Sequence, residues 1–213
     1  GDAKPSTQAN TTITSDIEVD VKTAAATSTS SSITTTGAGS LASAKILYYD
    51  GSTWNLVPAP LFPNPLKPSA YNLTSVTFGP PTSPISRNDG WAVGNYGTII
   101  HWNGTAWSRV PSGTLEGLSG VWGSAPDDVW AVGDSGTVLH WDGGAWTTVA
   151  IGVSSPLHAV WGSASNAVWT VGAAGTVQHW NGSTWANAAG WTPHALVGAS
   201  GTSSTDVWAV GDQ

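Results

Sequence analysis

Three histidines recur at a fixed interval. His101, His140 and His179 lie 39 residues apart, and each precedes a tryptophan. Imidazole binds metals and moves protons near neutral pH, so a repeated His invites either reading. One His per repeat, however, spreads the rings around a periodic structure, and Tyr48 stands at the fourth equivalent position. A metal site needs convergent ligands. The spacing therefore predicts structural hydrogen bonds and no metal. The carboxylates fail a similar test as catalysts: Asp134 and Asp212 have Asn95 and Ala173 as counterparts, and Asp127-Asp128 becomes Asn166-Ala167 one repeat later. No Ser-His-Asp series, isolated carboxylate pair or phosphate-binding glycine loop stands out, so the sequence predicts a non-enzymatic protein without a cofactor.

Tryptophan is the other residue type with binding chemistry, because indoles stack on sugar faces as readily as on one another. Of 14 Trp, all but Trp191 occupy repeated positions. Each buried indole removes about 150–250 Å² from water, roughly 4–6 kcal/mol gross. Core packing is the reading for Trp91, Trp130, Trp169 and Trp208, while Trp54, Trp107, Trp146 and Trp185, expected near an outer rim, keep a binding role open. Trp191 stands where other copies have Gly113 and Gly152. Repeat symmetry does not demand such a residue. On that ground Trp191, His158, His194, Tyr71 and Arg87 are the candidate ligand-binding residues.

The elements that position these residues follow from the repeat, whose period marks a solenoid or propeller. Trp-Ala-Val-Gly starts at Trp91, Trp130 and Trp208, with Trp-Thr-Val-Gly at Trp169; Leu118, Leu157 and Leu196 keep the same 39-residue step. Each repeat holds four short segments rich in Val, Trp, Thr and Ile, which suit a pleated sheet. Asn103-Gly104, Asp142-Gly143 and Asn181-Gly182 separate the third and fourth segments and are type I′ hairpin signals. Four hairpin-connected strands per period predict an all-β fold, a β-propeller of four-stranded blades.

Full blades are expected at about 73–110, 111–149 and 150–188. The segment 41–59 supplies a third and fourth strand, and 189–213 a first and second. The expectation is that these halves join in a two-plus-two clasp, closing a four-blade ring over 41–213; the alternative is a chain cut from a longer array, with more blades in the ring. Pro-rich stretches at 58–68 and 79–87 read as surface loops. Residues 1–40 hold no aromatic residue and are dominated by Ser and Thr, the composition of an extended arm. Within it, Ile13, Ile17, Val19 and Val21 alternate with polar residues, predicting one strand at about 11–23 that pairs with its own propeller or adds to another chain.

Composition narrows the setting. The 213 residues include no Cys, which removes disulfides, thiolate metal sites and thiol nucleophiles. A net charge of −7 with six Lys+Arg opposes nucleic acid and anionic membranes, and no apolar run reaches the roughly 18–20 residues of a membrane helix. Charged residues make up 9%, against about 25% in ordinary domains. This neutral polar character, and a start at Gly1 without Met or signal peptide, suggest an extracellular or cell-surface protein. Asn10, Asn72, Asn103 and Asn181 fit the N-glycosylation sequon.

The strings Val121-Trp122-Gly123-Ser124, Asp128-Val129-Trp130-Ala131-Val132-Gly133 and Gly136-Thr137-Val138-Leu139-His140-Trp141 resemble the Trp-rich propeller repeats of bacterial secreted proteins. They are more distantly similar to tectonin-type lectin propellers. The resemblance covers about 46–213, and Ala199-Ser200 replaces the Val-Trp pair in the last copy. It implies adhesion, glycan binding or scaffolding. The expected function is a non-enzymatic extracellular interaction module, a cell-surface or pilus-like filament subunit that assembles through its arm with other chains or copies of itself. The alternative is a glycan-binding lectin.

Overall fold

A computed structural model describes residues 45–60, 72–78, 88–188 and 192–212, all within the compact unit Ala38–Gln213. The expected arm strand, with Ile13, Ile17, Val19 and Val21, and most of the Pro-rich stretches lie outside the described residues. Three four-stranded antiparallel sheets form the centre of the chain. They comprise β3 to β6 (Leu73–Phe78, Gly90–Gly94, Thr98–Trp102, Trp107–Arg109), β7 to β10 (Leu118–Ala125, Asp128–Gly133, Val138–Trp141, Trp146–Thr148) and β11 to β14 (Leu157–Ala164, Ala167–Gly172, Val177–Trp180, Trp185–Asn187). A two-stranded hairpin precedes them, β1 and β2 (Ile46–Tyr49, Trp54–Val57), and another follows, β15 and β16 (Leu196–Ser203, Asp206–Gly211).

Second strands such as β4 and β8 are apolar along their length because a neighbouring blade covers each face, and both are almost wholly buried. Fourth strands are three residues long with two exposed positions, a short edge that resists pairing with foreign strands. First strands of successive blades touch. Thr74 Oγ1 donates to the Leu118 carbonyl at 2.6 Å, and a Cβ at Gly120 would lie 3.2 Å from the Val160 nitrogen on the next blade.

The hairpin chemistry differs from the expected one at the Asn-Gly and Asp-Gly sites. The type I′ turns join second to third strands, where Ser135 (φ 55°, ψ 28°) and Gly136 (φ 69°) take left-handed geometry and Thr137 N–H donates to the Asp134 carbonyl at 2.9 Å. Tyr96 and Ala174 repeat it. At the Asn-Gly and Asp-Gly sites the loop has four residues and only the glycine has positive φ, as at Gly104 (91°). The reason is the side chain: Asn103 Oδ1 accepts from the Thr105 and Ala106 amides at 3.0 Å each. Asp50, Asp142 and Asn181 do the same. An Asx turn replaces the tight one.

Indoles lock each blade to the next. Trp91 of β4 sits 4.9 Å from Trp141 and 5.2 Å from Trp146 of the following blade, centroid to centroid. Trp130 repeats this, 5.2 Å from both Trp180 and Trp185. Each inserted indole also lies against its own blade's histidine, Trp130 on His140 at 4.1 Å.

The expected clasp does not form. β16 pairs with β15 and β1 with β2, and no ladder joins the two hairpins. Closure after four blades demands about 90° between neighbours, at the small extreme of the propeller range. The same hexapeptide shows the consequence. In Asp128–Gly133, Trp130 is 1% exposed and Val132 0%; in the identical Asp206–Gly211, Trp208 is 70% exposed and Val210 64%.

This contrast gives a paired prediction. Trp130→Ala empties a closed site between blades and should lower unfolding free energy by about 3–5 kcal/mol in urea titration. Trp208→Ala should change the stability of a single chain by less than about 1 kcal/mol. Equal losses would contradict the packing scheme.

Candidate functional site

The site begins with a polar chain within each blade. His140 Nε2 lies 2.7 Å from Asp128 Oδ1, and Ser124 Oγ donates to the other oxygen of the same carboxylate. His101 contacts Asp89 in the preceding blade. Burial pushes the Asp128 carboxyl up, but the hydrogen bonds from His140 and Ser124 and the His140 charge outweigh it and leave it below the usual carboxylate range. The three residue types are those of a hydrolase triad in the wrong order. Aspartate stands between serine and histidine, so Ser124 gives its proton to a weak base and His140 lies against Trp130. The arrangement orders the blade, and His101 and His140, though not His179, make the structural hydrogen bonds expected of the repeated His.

The third blade lacks the partner. Ala167 replaces the aspartate, His179 Nε2 is buried without a hydrogen bond among the described residues, and burial pushes the His179 imidazole down. In the last hairpin Asp206 accepts from Thr202 Oγ1 at 2.6 Å and from Trp208 Nε1 at 2.8 Å, which holds its carboxyl below the usual range.

A groove of about 550 Å³ opens beside these groups at one end of the first strands. It crosses three blades, with Phe78 from β3, Trp122 and Ser124 from β7, and Ser163 and Ser165 around the end of β11. Gly162 makes the floor, because a Cβ there would lie 2.6 Å from the Trp122 ring. Trp161 rests on Gly201 in the same manner. Phe78 keeps 45% of its surface exposed. The walls are thus aromatic, with hydroxyl groups along them.

Of the five candidate ligand-binding residues, Trp191, Tyr71 and Arg87 lie outside the described residues. His158 is half-buried on β11 and His194 exposed in the turn before β15; neither lines the groove, and no hydrogen bond joins them. Asn10 is likewise outside, Asn72 is exposed, and Asn103 and Asn181 have their side-chain carbonyls engaged in turns. The fourth-strand indoles are not a rim. Trp107 and Trp146 are 7% exposed and Trp185 half-buried: Trp146 and Trp185 each receive an indole of the neighbouring blade, and Trp107 packs with Ile46 and Val57 of the preceding hairpin, whereas Trp54 is 68% exposed. Sequence reading missed the carboxylate–imidazole pair, although Asp89 and Asp128 each stand twelve residues before their histidines.

No family model matches the chain. No curated protein matches it. Among solved structures it is similar to YCF48 bound to D1 peptide, at 17% identity and TM-score 0.53, covering 68% of this chain and 48% of that one. It is also similar to YCF48 from Cyanidioschyzon merolae, at 14% identity and TM-score 0.56, covering 76% of this chain and 55% of that one. The chain spans about half the length of these structures. The likeness supports the β-propeller fold.

The missing carboxylate gives a titration test. A folded-state pKa depressed below 6.5 makes protonation of His179 oppose folding, so its contribution to stability declines as pH falls below that value. Ala167→Asp should raise the pH at which His179 titrates in NMR. An unchanged titration would remove the pairing rule.

Proposed function

We propose that this chain is a non-enzymatic propeller module that binds an extended segment of a partner protein in the groove between Phe78, Trp122 and Ser163. The observation that carries the reading is the groove's span across three blades, which suits a chain better than a compact metabolite. Aromatic walls offer apolar anchorage, and the Ser124, Ser163 and Ser165 hydroxyls offer partners to a peptide backbone. Among the described residues Lys45 and Arg109 are the Lys and Arg side chains, and acidic residues, exposed Asp127 among them, outnumber them. The fitting segment is therefore apolar with neutral or basic flanks. A structural neighbour bound to a peptide supports the reading. The low-charge surface supports action outside the cytoplasm.

Glycan binding has no comparable support, since the fourth-strand indoles of the full blades are packed between blades. A filament role through the arm rests on residues outside those described.

A displayed random-peptide library panned on the full chain should yield binders of the stated chemistry. Ser163→Trp, which fills the groove, should weaken a selected peptide about tenfold or more by calorimetry, while Thr147→Trp on exposed β10 leaves it unchanged. Equal affinities would reject the groove, and signal confined to a glycan array would replace the peptide reading.

A further inference from the structure

Two serines line the groove from neighbouring blades, one repeat apart, and they differ as hydrogen-bonding groups. Ser124 lies near the end of β7, and Ser163 holds the same position on β11. Each first strand packs against another on either side, β3 and β11 for β7, β7 and β15 for β11. Both serines therefore belong to interior blades.

Ser124 has already committed its proton. Its Oγ donates to one oxygen of the Asp128 carboxylate, while His140 Nε2 meets the other at 2.7 Å. Burial raises the Asp128 carboxyl, yet the bonds from His140 and Ser124 leave it below its usual range. Near neutral pH it has no proton to return. A hydroxyl carries one proton and two lone pairs, so toward the groove Ser124 offers an acceptor and no donor. Thr202 donates to Asp206 in the same way at 2.6 Å, so the contact recurs with the repeat.

The third blade breaks this pattern. Ala167 replaces the acid, and Ser163 is exposed with no hydrogen bond among the described residues. Its hydroxyl turns freely and can donate or accept. Ser165 is also exposed; its carbonyl accepts from Trp180 Nε1 at 3.1 Å, and its hydroxyl is unbonded among the described residues. Of the three groove serines, Ser124 alone has a fixed polarity.

We infer that Ser124 sets the polarity of the groove: the partner segment, on the peptide reading above, places a backbone N–H against Ser124 Oγ. A carbonyl there would set two acceptors face to face, and a proline would bring no donor. One position of the bound segment therefore excludes proline. Asp128 is a positioning residue, acting on the ligand through the hydroxyl that it orients.

The probe is a peptide selected on the full chain whose affinity Ser163→Trp lowers. Analogues with a single backbone amide replaced by an ester lose one N–H and keep their shape. By calorimetry, one such ester should weaken binding to the unmodified chain about tenfold. Against Ser124→Ala the same ester should cost less than about twofold, because no acceptor is left unpaired. Asp128→Ala frees the Ser124 proton as Ala167 frees that of Ser163, and it should cut the cost to about threefold or less. The third blade shows that a blade folds without the acid. Absence of any ester whose cost depends on Ser124 overturns the inference, as does a cost that Asp128→Ala leaves undiminished. If Ser163→Trp affects no selected peptide, the groove reading falls first and the inference with it.

Discussion

The contact on which this molecule rests is an indole pushed from the second strand of one blade into an aromatic pair on the next. Trp91 and Trp130 each touch two indoles of a neighbouring sheet and lie against one imidazole of their own. Four strands of three to eight residues make a thin sheet with little interior. The core therefore lies between sheets, where second strands are covered on both faces. With no cysteine and 9% charged residues, neither disulfides nor ion-pair networks are available to hold one blade to another. The indole wedge also leaves an ordinary surface of Ser, Thr and Asn to meet solvent.

Once that wedge is in place, differences among repeats carry the chemistry. The Asp128–His140 contact orders the imidazole beneath Trp130, and Ser124 closes the other carboxylate oxygen. In the third blade Ala167 removes the acid while His179 keeps its stack on Trp169 at 3.9 Å. Stacking alone suffices to place the ring, and the carboxylate adds orientation. The groove arises from another asymmetry. Phe78 occupies a position that is Gly123 in the next blade, so an aromatic wall stands where the other copies leave room.

Much of this was legible in the sequence. A strict 39-residue period located four strands per blade, and alternating Val and Trp gave their type. The burial of Trp91 and Trp130 followed from their recurrence. The Asn-Gly sites depart from the expected type I′ turn, because Asn-Gly signals a tight turn only when the Asn side chain does not itself accept the loop amides, as Asn103 does. Nothing in Tyr96, Ser135 or Ala174 announces left-handed backbone; a close approach demands it, since a Cβ on Gly136 would collide with the Val153 carbonyl oxygen. The ring closure also failed. Complementary half blades specify what could pair with what, but not that one chain brings β1 and β16 together. The groove was illegible for a related reason, since it joins residues of three repeats through packing.

The central claim is that indoles on adjacent blades couple directly, beyond the area each buries. A double-mutant cycle on Trp130→Leu and Trp185→Leu, read by equilibrium urea unfolding, tests it most directly. The two rings meet edge to face at 79° with centroids 5.2 Å apart. The account predicts a coupling of about 0.5–1.5 kcal/mol between the two substitutions. Strictly additive losses would show that the blades cohere by area alone and that the wedge is not the lock.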